Sequence, residues 1–330
     1  MSEVKHTHIG GQAVLEGIMM RGKFNWAVAV RKPDGTIHVE EHDLPHSAAR
    51  EHAWLRWPIV RGIWGFYETL RLALQAFSIS AEQAGVGEGE DGEPAESLSS
   101  GEVAFTMVLG VLLAVGLFIL LPAFVTNLLG VAIRKSSLAW NVIDGVLRLL
   151  VFFVYIWAIS RLKDIRRVFA YHGAEHEIIH TFEHGDPLDA EHAHKYGTLH
   201  VRCGTSFLLM VMVIAIVVFS LVPTHTLLTR VLSRILLLPL VAGLAYEVTV
   251  KWAGSNEDNP LVKVLLWPGL QLQRMTTRPP DDSMIEVAVA AVEPVIARED
   301  AEAAKAAGET GEAAPTDVAQ IAEEPGQAIT

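Results

Sequence analysis

Long runs of apolar residues dominate the middle of the chain. No charged residue occurs between positions 103 and 133 or between positions 203 and 229. Each run exceeds the roughly 20 residues that a helix needs to cross the hydrocarbon core of a bilayer. With two further apolar segments, these runs predict a mainly α-helical, polytopic membrane protein with about four transmembrane helices. We place the spans at residues 104–126, 138–160, 205–223 and 231–250.

Charged residues lie within the predicted second and fourth spans. Asp144 and Arg148 are four positions apart, so they share one face of a helix and can pair. Arg234 lies near the start of the fourth span and Glu247 near its end. Because charges exposed to lipid are costly, such residues usually face protein or water. We therefore expect them to point into the helical bundle.

A different pattern precedes the spans. Residues 1–52 contain strand-like segments at 13–20, 26–30 and 36–40, and a turn signal at Pro33-Asp34-Gly35, which predicts a small N-terminal cytoplasmic β region. Residues 53–80 combine Trp and Leu with arginines and are broken near Pro58 and Gly62. This composition fits an amphipathic helix at the membrane interface, and it fits a helix buried against the spans equally well.

The other segments follow from composition. Acidic and small residues predict a flexible linker at 81–102 and a disordered tail at 298–330. Ser283 and Glu286 form a capping-box signal for the second of two C-terminal cytoplasmic helices. The parts between the linker and the tail are two spans (103–160), a His-rich loop with a helix (161–204), two spans (205–250) and the C-terminal helices (251–297, with helices at 259–277 and 282–297).

The net charge of −12 comes from the acidic segments. Residues 281–330 carry −10 and residues 82–102 carry −7, so the rest of the chain carries +5. Solvated acidic segments give no reason to expect a nucleic acid partner. The single cysteine, Cys203, excludes an internal disulfide, and the polar N-terminus lacks the apolar core of a signal peptide.

Basic residues predict the orientation in the membrane. Arg161, Lys163, Arg166 and Arg167 follow the second span, and the positive-inside rule places this loop in the cytoplasm. With four spans, both termini are then cytoplasmic as well. Arg134 and Lys135 lie on the opposite side of the membrane and reduce the difference in basic charge between the two sides.

The most informative motif lies in this loop, at His172-Gly-Ala-Glu175-His176. On a helix the two histidines share a face, with Glu175 beside them. Two neutral imidazoles and a carboxylate are what a divalent metal site, above all a zinc site, requires. We expect His172 and His176 to be ligands and Glu175 to take a proton from water at the metal. The alternatives are a polar helix face and, for Glu175, a carboxylate that orients an imidazole.

Further ligands are proposed from nearby residues. His180 lies about 12 Å along the helix from His172, too far for one zinc ion to bind both, so it belongs to a second ion or supports the site from outside. His200 and Cys203 form a His-x-x-Cys pair just before the third span. Glu247 is a more distant carboxylate candidate, whose alternative is an ion pair with Lys251.

Several separate stretches resemble the bacterial DUF1385 (YqhQ-like) family over about residues 9–296. They lie at residues 10–22, 160–169, 171–176, 200–207, 238–247 and 277–282. The resemblance implies a protein of the bacterial cytoplasmic membrane and, as is predicted for the family, a metal-dependent enzyme of unknown substrate. Family members often have Lys at the position of Glu177. That side chain points away from the histidine stripe, and we exclude it as a ligand.

These observations lead to three hypotheses. The first is a membrane-embedded metal-dependent hydrolase that acts on a peptide or a lipid-like substrate at the cytoplasmic face. The second is a scaffold that docks a cytoplasmic partner and has a structural metal site closed by four ligands. The third is a transporter, suggested by the charges within the spans. Four spans would then require a homo-oligomer, and no internal repeat supports this.

Overall fold

The computed structural model describes residues 8–44, 52–85, 100–129, 136–222, 226–253, 256 and 259–310. The expected N-terminal sheet is present, and its four strands form an antiparallel meander in chain order. Residues 13–20 do not form one strand, because the chain turns at Glu16, whose φ is 50°. The strands are β1 (Gly10–Val14), β2 (Gly17–Arg21), β3 (Asn25–Arg31) and β4 (Ile37–Asp43).

The rest of the described chain is almost entirely helical. The helices are α1 (Val60–Gln83), α2 (Ser100–Val115), α3 (Leu121–Leu128), α4 (Ser137–Ile159), α5 (Lys163–His184), α6 (Ala190–Ala193), α7 (Gly204–Ser220), α8 (Leu227–Tyr246), α9 (Pro260–Thr276) and α10 (Asp282–Thr310). A π-helical turn, Gly116–Leu120, joins α2 to α3, and another, Glu247–Ala253, continues α8.

The sheet lies between two helical layers. Side chains alternate between the faces of a strand, and in β2 Ile18 and Met20 face α5 and α10, while Met19 faces α1. The register pairs Ile18 with Ala29 and Met20 with Ala27, so small residues of β3 leave room for the helices on that face. Helix α5, which carries the His-x-x-Glu-His motif, is thus fixed against the sheet.

Three helical segments are long and apolar enough to cross a membrane: Val108–Leu128, Leu138–Ile159 and Leu228–Ala253. The chain is therefore a membrane protein by length and composition of its helices. The third predicted span corresponds to α7, an apolar helix of only 17 residues. Its length of about 25 Å falls short of a hydrocarbon core of about 30 Å, so a fourth complete crossing is not established.

Three of the four charged residues predicted to point into the bundle are buried there, namely Asp144, Arg148 and Arg234. Asp144 is 1% exposed and pairs with Arg148 at 3.1 Å and with Arg234 at 2.7 Å. One turn nearer the helix starts, the guanidinium of Arg230 lies 3.9 Å from the ring centre of Trp140. A step of four residues along α4, from Trp140 to Asp144, matches a step of four residues along α8, from Arg230 to Arg234. The two helices therefore run in the same direction.

Other helix ends differ from the predictions. Helix α1 begins after Ile59, as the break near Pro58 indicated, but Gly62 lies inside the helix. A Cβ at Gly62 would lie 2.7 Å from that of Tyr246, so glycine there permits close packing of α1 on α8. Helix α10 extends to Thr310, well into the predicted tail. Most of the predicted linker (residues 86–99) and the rest of the tail (311–330) lie outside the described residues.

Candidate metal centre

Helix α5 presents the motif histidines to a segment that returns from the far end of the same loop. The helix runs without interruption from Lys163 and ends at Gly185, whose φ of 74° only glycine adopts easily. Residues 198–203 then pass back along the buried face of α5 and lead into α7. The motif is therefore covered by protein instead of facing solvent.

Three of the predicted ligands converge at one point. The side-chain donor atoms of His172, His176 and Cys203, here called the His-Cys cluster, all lie within 4.8 Å of one another. His172 Nε2 is 3.2 Å from Cys203 Sγ. Cys203 caps the N-terminus of α7, and its sulfur accepts the Thr205 N–H at 3.4 Å. A helix N-terminus favours negative charge on a nearby group, as a thiolate ligand requires.

Backbone carbonyls orient both imidazoles of this cluster. His172 Nδ1 lies 2.8 Å from the carbonyl oxygen of Thr276, and His176 Nδ1 lies 2.6 Å from that of Thr198. A carbonyl oxygen can only accept, so each Nδ1 carries the proton. Each Nε2 is then the nitrogen with a free lone pair. This arrangement is typical of metal-binding histidines, whose second nitrogen donates to a carbonyl or carboxylate.

His176 Nε2 provides the strongest sign that the cluster is built for a ligand. His176 is 1% exposed, and among the described residues this nitrogen has no hydrogen-bond partner. Leaving a buried polar atom unpaired costs about 1–3 kcal/mol. Burial lowers the pKa of His176, and the neighbouring Cys203 opposes that shift. The lowered pKa favours the neutral imidazole that a ligand must be. A divalent cation would satisfy this nitrogen.

Glu175 lies in the wall beside the cluster. Its carboxylate accepts the Gly11 N–H at 3.0 Å, which ties α5 to β1. A Cβ at Gly11 would be only 2.7 Å from Glu175 Cγ, so this position requires glycine. Burial raises the pKa of Glu175, and the nearby His172 opposes that shift.

A cavity of about 620 Å³ gives access to these groups. His172, His176, Cys203 and Glu175 all line it. Its other walls include apolar side chains from the end of α4, from β1 and from α5. These are Ile156, Ile159, Ile9, Ala13, Val168 and Phe169. Because Ile156 and Ile159 end a membrane-length helix, the cavity lies at one end of the helical bundle.

His180 and His200 belong to a second group, with Glu183, here called the His-Glu cluster. The predicted separation of His180 from His172 therefore holds. Contacts with neighbouring protein groups engage several of the possible ligand atoms of this group. His200 Nδ1 accepts the Arg202 N–H at 3.3 Å, so its proton is on Nε2, which faces Glu183 at 3.6 Å. Glu183 also pairs with Arg202.

The two clusters thus differ in which of their nitrogen lone pairs are available to a metal ion. In the His-Glu cluster, His180 Nε2 faces the Leu199 carbonyl at 2.9 Å and has only Nδ1 left as a ligand atom. The lone pair of His200 is already engaged. Burial lowers the pKa of both histidines. Of the two groups, the His-Cys cluster is the better candidate for a metal centre, and His180 and His200 lie beside it.

The remaining predicted residues lie elsewhere. Glu247 accepts hydrogen bonds from Arg61 Nε at 2.7 Å and from the Ile59 N–H at 3.1 Å, and these bonds join α1 to α8. It belongs to neither cluster. Its ion-pair partner is Arg61 and not Lys251. Glu177 points away from the motif and contacts His194 at 2.9 Å. Glu16, at the β1–β2 turn, binds Arg167.

Several supporting groups were not predicted. Gln273 of α9 is fully buried and exchanges two hydrogen bonds of 2.8 Å with the backbone of His200, which fixes the returning segment. The carbonyls of Thr198 and Thr276 orient the histidines. No sequence pattern identifies a carbonyl that acts in this way. Gly11 is an exception, because a Gly-Gly pair in a strand suggests that another group approaches the backbone closely.

Comparison with known proteins defines the family. The model of the family described as "Protein of unknown function (DUF1385)" matches residues 57–298. The chain belongs to this family. It is also 35% identical over 287 residues to the Uncharacterized protein YqhQ of Bacillus subtilis (strain 168), covering 85% of this chain and 89% of that protein. No solved structure matches the chain.

Proposed function

We propose that this protein is a metal-dependent hydrolase of the bacterial cytoplasmic membrane, whose metal is held by His172, His176 and Cys203. The unpaired, buried Nε2 of His176 carries this proposal. Two imidazole nitrogens and one sulfur suit zinc better than calcium or magnesium, which prefer oxygen ligands. A bound zinc ion would supply Lewis acidity at this point, polarising a carbonyl group and making water more acidic.

The number of protein ligands favours catalysis over a structural role. Structural zinc sites are usually closed by four protein side chains, whereas catalytic sites use three. Among the described residues, the His-Cys cluster offers three donor atoms and opens into a cavity. The scaffold hypothesis requires a fourth donor, and the described part of the chain does not add one to this cluster.

Glu175 is the group we propose for proton transfer. It lines the same cavity as the three ligands, and Gly11 fixes its carboxylate by one hydrogen bond. The role of orienting an imidazole is taken by the two backbone carbonyls. A carboxylate in this position can accept a proton from an attacking water and return it to a leaving group.

The cavity walls favour a substrate with an apolar part. Ile156 and Ile159 belong to the end of a membrane-length helix, Ala13 comes from β1, and Ile9 precedes that strand. A lipid-like ester or amide, or a membrane-inserted peptide, would reach the centre from the membrane surface. Soluble polar substrates would gain little from such walls.

Metal analysis tests the proposal directly. The full-length protein is purified without a polyhistidine tag, and its metals are measured by inductively coupled plasma mass spectrometry. We expect about one zinc ion per chain in the wild type and at least about tenfold less in His176→Ala and Cys203→Ser. The matched control is His180→Ala, from the His-Glu cluster, which should retain the metal. Wild-type protein without stoichiometric metal, or loss confined to His180→Ala, would overturn the assignment.

Two further measurements separate binding from catalysis. Replacement of zinc by cobalt should give a thiolate-to-cobalt charge-transfer absorption that is absent in Cys203→Ser. Glu175→Gln should keep the metal and lose hydrolysis of acyl ester or amide substrates presented in micelles, by about a factor of 10²–10⁴. If Glu175→Gln keeps full activity, Glu175 has no part in the reaction. If the wild type binds zinc but no such substrate is cleaved, the structural alternative is favoured.

A further inference from the structure

A second concave site lies at the same end of the helical bundle, outside the cavity of the metal centre. It is a cleft of about 380 Å³ where the end of α4 meets α5 and the end of α9. Four of its seven lining residues are arginines and none is acidic. We call it the arginine cleft. The lining residues are Trp157, Ser160, Arg161, Arg166, Arg274, Met275 and Arg278.

The arginines of the cleft are not neutralised by the protein. Among the described residues, no ion pair joins any of the four to a carboxylate. Arg278 Nη1 donates to the backbone carbonyls of Thr277 at 2.8 Å and Arg274 at 3.2 Å, which holds the Arg278 side chain against the end of α9. Arg161 lies 3.4 Å from the ring centre of Trp157. Four like charges around one cleft repel one another unless an anion lies between them.

The position of the cleft places it at the membrane surface. Trp157 belongs to the membrane-length segment Leu138–Ile159, and Ser160 and Arg161 follow it directly. Trp157 is half exposed, as tryptophans at the level of lipid headgroups are. Arginine binds phosphate oxygens in pairs and is favoured wherever phosphate is recognised. Both the chemistry and the depth therefore suit the phosphate of a phospholipid headgroup.

Three helices, α4, α5 and α9, contribute to both the cleft and the cavity of the metal centre. In α4, Ile156 and Ile159 face the cavity, while Trp157 and Ser160, the residue after the helix, face the cleft. In α9, Thr276 lines the cavity and Met275 lines the cleft. The two sites are neighbours with separate walls, so binding in the cleft does not require the metal.

We propose that the arginine cleft is a binding site for a phosphate-bearing anion, with an anionic phospholipid headgroup and free inorganic phosphate as its two sources. Three probes distinguish them: short-chain phosphatidylglycerol, short-chain phosphatidylcholine and inorganic phosphate. Each is titrated against full-length protein in neutral detergent, and binding is followed by thermal unfolding and by native mass spectrometry.

The expected result is tighter binding of phosphatidylglycerol than of phosphatidylcholine, by about tenfold. Arg274→Gln/Arg278→Gln should abolish this preference. The matched control, Arg56→Gln/Arg71→Gln, removes two exposed charges near and on α1 and should retain it. Added sodium chloride should weaken binding to the wild type. These four arginines carry little of the core packing, so both double variants should fold.

The outcomes separate the sources and can defeat the proposal. A preference for phosphatidylglycerol that inorganic phosphate does not displace supports the headgroup. Equal binding of inorganic phosphate, lost in the cleft variant, supports the same site with a soluble anion. If neither anion binds, or if both double variants lose binding equally, the cleft is not an anion site. None of these results depends on metal content, so the hydrolase proposal stands or falls separately.

Discussion

The chemistry of the proposed metal centre depends on which nitrogen of each histidine carries the proton. In His172 and His176 a backbone carbonyl holds the proton on Nδ1 and leaves Nε2 for a ligand. In His200 a backbone N–H has the opposite effect, because Nδ1 must accept. Two groups with similar residue types therefore differ in what they can bind. Residue type and spacing do not contain this information, because the carbonyls and the N–H belong to other segments.

The spacing of the motif predicted the part of the site that lies on one helix. Four residues separate His172 from His176, and a helix brings such residues to one face regardless of the fold. Cys203 lies beyond the end of that helix, so only the path of residues 185–202 decides that its sulfur meets the two rings. Glu247 shows the opposite case: its residue type suited a ligand, but Arg61 from α1 engages it instead.

Gly11 provides a prediction at this scale. In Gly11→Ala the added methyl group would overlap Glu175 Cγ, at 2.7 Å, and Met20 Sδ, at 2.8 Å. We expect a loss of about 1–3 kcal/mol in the free energy of unfolding, since overpacked sites must shift their neighbours. Catalysis should fall because Glu175 moves, while metal content stays the same because no ligand is touched. Chemical unfolding in detergent and metal analysis measure these effects.

The adjacent glycine is the control. A Cβ at Gly10 meets no atom within 4 Å, so Gly10→Ala should change stability by less than about 0.5 kcal/mol. Equal effects of the two substitutions would show that backbone freedom, and not the contact with Glu175, determines the need for glycine in β1.

At the scale of elements, the site depends on how α5 is held. The sheet packs on one side of α5, and α10 packs beside it through Ile285, Val292 and their neighbours. Apolar periodicity predicted most of these elements. It missed the division of 13–20 into two strands because every residue from Ile18 to Met20 is buried and the alternation is lost. It also ended α10 too early, because charged residues such as Arg298 and Glu302 continue that helix through pairs on its surface.

His194 links α5 to α10 and should make stability depend on pH. Its Nδ1 lies 2.9 Å from Glu177 and its Nε2 lies 3.0 Å from Asp282. The hydrogen bond to Asp282, followed by that to Glu177, raises the pKa of His194. Since the folded value is the higher one, the protonated bridge stabilises the fold fully below the unfolded pKa of about 6.5. This contribution is lost as pH rises through the folded value.

His194→Gln tests this link. The difference in unfolding midpoint between wild type and variant should be largest at mildly acidic pH and should shrink as the solution becomes alkaline. His52→Gln, which replaces an exposed histidine outside the bridge, should show no such trend. A difference that is constant with pH would mean that His194 acts through packing, without its charge.

At the scale of the whole molecule, both proposed sites lie at one end of the helical bundle. Helices α4 and α8 run in the same direction, since Asp144 pairs with Arg234 and Trp140 contacts Arg230 one turn earlier. The end of α4 leads directly into α5, so the proposed metal centre and the arginine cleft share that end. Hydropathy predicted the spans well where they are long. It was less informative for α7, where strongly apolar sequence forms a helix of only 17 residues.

This arrangement predicts which end faces the cytoplasm. The end that follows α4 carries Arg161, Lys163, Arg166 and Arg167, and an excess of basic residues marks the cytoplasmic side. Single cysteines at Lys195 and Ser136, both exposed, report on the two ends in a Cys203→Ser background. In intact cells a membrane-impermeant maleimide should label Ser136→Cys and leave Lys195→Cys unmodified. Opened membranes should give labelling of both, which controls for accessibility. The reverse pattern would put the proposed hydrolase outside the cell, where substrates of the cytoplasmic leaflet do not reach it.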